Sequence, residues 1–257
     1  MIAALMLGRK GSVGFPGKNL HPVLGRPLML YPLLAAKNAS LIDEVFISTD
    51  DERIMEHGER QGATIIRRPE ELATNRALGE HAYVHGYHEI CRLRGPIEAI
   101  VLLFCNAATI ESKTLDDGIR VLRERPELDS AVTVSAYNMW SPIRARREDA
   151  EGLLQPFVPF EAFGKESEIN CDRDAMGSVW FADMSASIVR PRCLDRLEEG
   201  LLPQKWMGRK IYPLKQWGGL DVDFEWQLPQ VEFWLRKHGF TETKTPYEMK
   251  GTHAKNT

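Results

Sequence analysis

The sequence predicts an α/β fold built on a mostly parallel sheet with helices packed on it. Two observations carry this. Short apolar runs alternate with helical stretches from residue 2 to residue 135, the mark of a parallel sheet flanked by helices. The most apolar of these runs, Ala99-Ile100-Val101-Leu102-Leu103-Phe104, is continuously hydrophobic, as a strand covered on both faces must be. A chain of 257 residues can bury one full core and still carry a sizeable insertion.

Taken in order, Ile2 to Leu7 reads as a buried first strand, which empties into a glycine-rich loop. His21 to Pro27 is a short extended piece, and Pro27 suits the first turn of a helix from Leu28 to about Asn38, with Pro32 delaying or kinking it. Glu44 to Asp50 is the second strand, Asp51 to Gln61 a surface helix stopped by Gly62, and Ala63 to Ile66 a third strand. Glu70 to Asn75 reads as a loop and Leu78 to Arg92 as a helix. Thr114 to Glu124 follows the central strand as another helix, and Ser130 to Ser135 as another strand. Residues 136–175 break the rhythm. The stretch from Asn138 to Lys165 carries Met139, Trp140, Phe157, Phe160 and Phe163 among prolines and charges, so we expect an irregular or hairpin insertion that makes a homodimer contact. Val179 to Ala182, Ala186 to Val189 and Ile211 to Leu214 return to strand character. Phe224 to Lys237 is a terminal helix interrupted near Pro229, and the polar stretch from Lys244 to Thr257 is expected to be loose.

Composition excludes several classes of partner. Lys and Arg number 33 against 36 Asp and Glu, leaving a formal charge of −3, so no bulk basicity points to nucleic acid or an anionic membrane. No run of 18 apolar residues and no signal-peptide pattern is present. Cys91, Cys105, Cys171 and Cys193 are scattered, without a C-x-x-C pair, which fits a reduced, cytoplasmic protein better than a disulfide frame or a zinc site.

Two stretches carry chemistry. Leu7 to Asn19 holds four glycines, a proline and three cations, Arg9, Lys10 and Lys18. Glycine lets main-chain N–H groups approach an anion and the cations supply countercharge, so a strand ending in this loop suggests phosphate binding, against the plainer alternative of a basic surface loop. Two known motifs fail on spacing. Ser12 and Asn19 stand where a P-loop needs glycine and Ser or Thr, and Gly11, Gly14 and Gly17 do not make G-x-G-x-x-G. The second stretch is Gly218-Gly219-Leu220-Asp221-Val222-Asp223-Phe224-Glu225. In extended chain Asp221 and Asp223 point to one side, and two hard oxygen ligands suit Mg²⁺, which completes its shell with waters and phosphate oxygens. The alternative is that Asp223 caps the helix that follows. Together the two stretches fit metal-assisted nucleotidyl transfer. The parallel sheet would collect the loop, Ser48-Thr49-Asp50, Arg67-Arg68 and Cys105-Asn106 at the carboxyl ends of its strands.

Arg9, Gly11, Ser12, Lys18 and Asn19, followed by Gly25-Arg26-Pro27-Leu28, Val45 to Asp50, Arg68 to Thr74, Gly177-Ser178-Val179-Trp180 and Gly219 to Asp223, form an ordered set over most of the chain. In this set the sequence resembles the cytidylyltransferases that activate acidic sugars, CMP-sialic acid (acylneuraminate) synthetases and, more distantly, CMP-3-deoxy-manno-octulosonate synthetases. The resemblance implies a CTP- and Mg²⁺-dependent enzyme with a Rossmann-like three-layer nucleotidyltransferase fold and a dimerising insertion. It implies that Leu7, Gly8, Arg9, Gly11, Ser12, Lys18 and Asn19 cradle the nucleotide, with Arg68 and Thr74 contacting it. Asp221 and Asp223 would hold Mg²⁺, and with Arg9 and Lys18 they form the implied catalytic set. Asn75, Cys105 and Asn106 fall where the acceptor would be met.

The sequence departs from that pattern in places. Val13 replaces a lysine, and Cys105-Asn106-Ala107-Ala108-Thr109 stands where the sialate enzymes have Gln-Pro-Thr-Ser-Pro and the octulosonate enzymes Gln-Gly-Asp-x-Pro. The nucleotide half is kept and the acceptor half altered. Expected partners are therefore CTP and an anionic small molecule, a sialic-acid-like sugar acid first, with a phosphonate and a non-catalytic binding protein as rival readings. His81, His85 and His88 share one helical face, expected near the acceptor pocket with Tyr83 and Tyr87 rather than around a metal. Trp206, Trp217, Trp226 and Trp234 are read as core or dimer contacts.

Overall fold

The computed structural model describes residues 1–137, 140–172, 174 and 177–247. Asn138 and Met139 of the expected excursion, and the tail beyond Tyr247, lie outside the described residues. In chain order, β1 (Ile2–Leu7) is followed by a small hairpin, β2 (Pro22–Val23) and β3 (Arg26–Pro27), and by helix α1 (Leu30–Asn38). Next come β4 (Glu44–Thr49), α2 (Glu52–Arg60), β5 (Thr64–Arg67) and the one-turn α3 (Glu70–Ala73). The chain continues through α4 (Gly79–Arg94), β6 (Ala99–Phe104), α5 (Ser112–Glu124) and β7 (Ser130–Ala136). After an outlying hairpin of β8 (Arg146–Glu148) and β9 (Leu154–Pro156) it returns as β10 (Trp180–Val189), α6 (Pro191–Asp195), β11 (Ile211–Gln216) and α7 (Leu228–Lys237).

Seven strands form the main sheet in the order β11-β7-β10-β6-β1-β4-β5. All neighbours are parallel except β10, which runs antiparallel to both β6 and β7. Alternate residues of each central strand serve opposite faces. Ile2, Ala4 and Met6 pack with Leu33, Leu115 and Ile119 on one side; Ala3, Leu5 and Leu7 pack with Tyr83, Tyr87 and Ile90 on the other. With both faces buried, these strands cannot alternate apolar and polar residues. From β1 the chain winds outward through β4 and β5, then returns to place β6 on the other side of β1. The carboxyl ends of β1 and β6 thus flank the point where the winding reverses, where open α/β sheets receive ligands. A third cluster, including Leu28, Tyr31, Val222, Val231 and Trp234, seats α7 and the chain before it against the segment after the glycine loop.

The helix boundaries differ instructively from expectation. Pro27 pairs in the β2–β3 hairpin, and α1 begins at Leu30 with Pro32 in its first turn, where a missing N–H costs nothing. Glu70 to Ala73 makes a turn of helix rather than a loop. The break expected near Pro229 falls just before it: residues 225–227 form a separate tight turn, and α7 starts at Leu228 with Pro229 in its first turn. The two late strand runs fuse into β10, whose register against β7 shifts between Ala182 and Ser187 around a left-handed Met184 (φ 62°). The excursion after β7 is built of a hairpin and short turns, with Trp140, Leu154 and Phe157 exposed. Trp206 and Trp234 are buried, while Trp217 and Trp226 are exposed. No helix among the described residues is long and apolar enough to cross a membrane.

Candidate active site

β1 hands Leu7 to Gly8 at the sheet edge. The Gly8 amide donates to the Ser48 carbonyl at 3.2 Å, and Leu7 accepts from the Cys105 amide at 2.9 Å. A Cβ on Gly8 would lie 2.4 Å from Cys105 Sγ, so only glycine allows the loop to pass this close to β6's end. This corrects one expectation. Cys105 is wholly buried beneath the loop, with its thiol pushed up to about 12 by burial, and lines neither of the hollows described below.

Beyond Gly8 a cleft of about 420 Å³ opens. Arg9, Ser12, Lys18, Asn19, Arg68 and Asn106 are among its walls, together with Asp221 and Asp223. Asn19 ties the loop to itself by donating to the Arg9 carbonyl at 3.3 Å, and the Lys10 amide donates to Asp50 at 2.9 Å. Arg68 is buried, yet its guanidinium donates to the Ser48 carbonyl at 2.6 Å and the Ser48 hydroxyl at 3.3 Å rather than to a carboxylate. Burial pushes its pKa down, the sign of a cation short of solvation. An anion in the cleft would relieve that cost. Gly11 forms a left-handed turn with open space where a Cβ would stand, and it stays outside the cleft wall. Thr74 and Asn75 are exposed and also outside it; Asn75 accepts a hydrogen bond from Arg9.

The late carboxylates meet the glycine loop directly. Lys18 Nζ lies 2.5 Å from Asp223 Oδ1, joining segments 205 residues apart. The capping alternative for Asp223 falls away: the turn after it starts at Phe224, and the Asp223 and Phe224 amides donate to Gln227 Oε1 at 2.7 and 2.8 Å. Between the carboxylates, Val222 is clamped by Asn106, whose carbonyl accepts from the Val222 amide at 2.9 Å while its side chain donates to the Val222 carbonyl at 2.9 Å. Burial, and then the charge of Asp223, raise the Asp221 pKa, against the pull of Lys18 and a hydrogen bond from Asn106. Two carboxylates held together at such a cost suit a hard divalent cation, which would remove the repulsion. No group of three His, Cys, Asp or Glu residues able to hold a metal occurs among the described residues.

On the far side of the carboxylate pair lies a second hollow of about 300 Å³. Its walls include Tyr137, Trp140, Phe181, Met184 and Leu220, and it shares Asp221 and Asp223 with the cleft.

The cytidylyltransferase family matches residues 3–137, just over half of the chain. The chain belongs to the cytidylyltransferase family. Among its relatives are CMP-N,N'-diacetyllegionaminic acid synthase of Legionella pneumophila (26% identical over 186 residues, 70% of this chain and 77% of that protein) and N-acylneuraminate cytidylyltransferase of Escherichia coli O18:K1:H7 (37% over 166 residues, 65% and 39%). The chain thus spans well under half of the E. coli protein. A solved CMP:2-keto-3-deoxy-manno-octonic acid synthetase complexed with CTP has the same fold: TM-score 0.65 at 15% identity, over 92% of this chain and 98% of that one.

In this cytidylyltransferase-family chain the structure gathers Leu7, Gly8, Arg9, Ser12, Lys18, Asn19, Arg68, Asn106, Asp221 and Asp223 around one cleft. Two of the histidines go elsewhere. Helix α4 offers Gly79 and Ala82 to the cleft, while His81 and His85 face the segment Leu194–Glu199. Tyr83 is buried and donates to the Leu103 carbonyl at 3.2 Å. Leu78, Gly79, Phe224 and the wall of the second hollow went unseen in the sequence. Leu78 and Gly79 could have been found from the break between Asn75 and the following helix, which leaves that helix's first turn pointing at the sheet edge.

Proposed function

We propose that the chain is a CTP-dependent enzyme that couples CMP to a sialic-acid-like sugar acid and releases pyrophosphate. The observation that carries this reading is the Lys18–Asp223 contact, which makes one cleft of a phosphate-type loop and a metal-type carboxylate pair. The acceptor's anomeric hydroxyl attacks the α-phosphorus, the bond to the bridging oxygen of the β-phosphate breaks, and the hydroxyl proton passes to solvent. Arg9, Lys18 and Arg68 hold the triphosphate and offset the charge that builds on the leaving pyrophosphate. Asp221 and Asp223 would hold Mg²⁺, which would supply positive charge to offset the negative charge developing on the reacting phosphates. The acceptor enters by the second hollow. Its aromatic and thioether walls favour an acceptor with apolar N-acyl or deoxy substituents, in keeping with the N-acylated acids in the relatives' names.

We further read the excursion's exposed Trp140, Leu154 and Phe157 as a homodimer surface, and the location as the reduced cytoplasm, in keeping with four free cysteines. A pyrophosphate-release assay with the four nucleoside triphosphates and a panel of sugar acids and phosphonates tests the activity. Mg²⁺-dependent turnover with CTP and an N-acylated sugar acid is expected. Turnover with a phosphonate alone would replace the acceptor; neither CTP binding nor turnover would overturn the enzyme. Sedimentation of the wild type against Trp140→Glu tests the dimer.

A further inference from the structure

We propose that Asp183 is a positioning residue, fixing the main chain that carries Asp221 into the cleft. Its functional weight rests on the metal reading of Asp221 given above. Asp183 is buried on β10, beside the left-handed Met184 and within the register shift. Four groups donate to its carboxylate. Thr133 Oγ1 and the Ser185 amide reach Oδ1 at 2.6 and 3.1 Å; Ser135 Oγ and Gln216 Nε2 reach Oδ2 at 2.7 and 2.9 Å. Asp183 accepts from all four, and none of the donors is a cation. Burying a charge this way is costly, and an apolar residue could have filled the volume.

What the carboxylate gathers is the turn after β11. Ser135, donating to Asp183, accepts from the Gly219 amide at 3.0 Å, and Tyr137 donates to the Gly219 carbonyl at 2.7 Å. A Cβ on Gly219 would sit 2.1 Å from Asp183 Oδ2, so the turn lies directly on the carboxylate and requires glycine there. The next residue is held as tightly: Thr109 Oγ1 accepts from the Leu220 amide at 2.9 Å and lies 3.2 Å from the Leu220 carbonyl. Asp221 follows. A buried anion thus joins β7, β10 and β11 at the point where the chain leaves the sheet for the cleft.

The test uses the full chain with Asp183→Asn, which keeps the shape but turns an acceptor into a donor facing donors. Ser135→Ala removes the relay to Gly219, and Ser135→Thr retains its hydroxyl. Three quantities are read: hydrogen exchange of the segment 216–223, Mn²⁺ affinity in the presence of CTP by electron paramagnetic resonance, and CTP affinity in EDTA by calorimetry. In Asp183→Asn and Ser135→Ala, exchange of the segment should quicken and Mn²⁺ affinity fall by about 10-fold or more. CTP affinity in EDTA should hold, and Ser135→Thr should restore both losses. Unchanged exchange and Mn²⁺ affinity, or a loss of CTP affinity in EDTA in step with them, would overturn the proposal. Asp221→Ala serves as the reference: if it keeps Mn²⁺ binding, the metal reading fails, while exchange still decides whether Asp183 fixes the segment. If Asp183→Asn does not fold, the Ser135 pair decides.

Discussion

On the side of the carboxylate pair proposed for the nucleotide, the cleft wall sets the fixed charge of Arg9, Lys18 and Arg68 among apolar Leu72, Leu78 and Phe104; on the far side the second hollow is walled chiefly by Tyr137, Trp140, Phe181 and Met184. The first wall comes from the ends of β1, β5 and β6, positions set by a sheet buried on both faces. The second comes from the end of β7, the outlying excursion, and β10 at its shift in register. Charge placed at strand ends recognises a triphosphate whatever its acceptor, and has no reason to vary. An apolar wall on less regular chain can be recut without disturbing the sheet, so acceptor choice is expected to reside there.

The sharpest way to break this comparison is to remove the group both sides share. Asp221→Asn should lower turnover by about 10³-fold with the fold intact, measured by pyrophosphate release. A second readout comes from its pKa. Because burial and Asp223 raise it, the folded protein holds that proton more tightly than the unfolded chain. The metal-free wild type therefore loses stability as pH climbs from the unfolded carboxylate value, about 3.9, through the raised folded one. The variant escapes this loss, so metal-free Asp221→Asn should melt at or above the wild type at neutral pH. A lower melting temperature with near-normal turnover would dismiss the residue as structural.

Lys18→Met tests the nucleotide wall alone. We expect kcat/KM for CTP to fall by about 10²-fold with the acceptor KM unchanged. Since Asp223 is well exposed, losing their ion pair should move the melting temperature little. Phe181→Ala tests the other wall: acceptor KM should rise by about 10-fold and the CTP KM stay fixed. Should Phe181→Ala weaken CTP instead, the division of labour between the two sides is wrong.

The same division explains what could be read from the sequence. The strands of the sheet and the glycine loop were legible because each is local: an apolar run, or a cluster of glycine and cations. That the glycine loop and the late carboxylates serve one reaction was readable from their chemistry, but the contact of Lys18 with Asp223 was not, since no local pattern joins residues 205 apart. Proline positions misled where one rule fits two settings, as at Pro27, which pairs in a hairpin rather than opening a helix. The wall of the second hollow was invisible because Tyr137, Phe181 and Met184 carry no motif. They meet only when antiparallel β10 inserts between β6 and β7.

The smallest expected effect concerns Cys105, which sequence order placed beside the acceptor and the fold places under Gly8. With a pKa of about 12, about one thiol in ten thousand is ionised at pH 8, and the side chain has no exposed surface. Cys193, raised to about 11 by burial, is similarly protected, whereas Cys171 is exposed in the excursion. An aromatic disulfide reagent at pH 8 should therefore modify Cys171 fastest and Cys91 more slowly, leaving Cys105 and Cys193 for the unfolded chain. Peptide mapping before and after denaturation reads this directly, and CTP affinity should survive modification of Cys171. Native labelling of Cys105 that an acceptor blocks would return the thiol to the acceptor side, and with it the boundary between the two walls would move to β6.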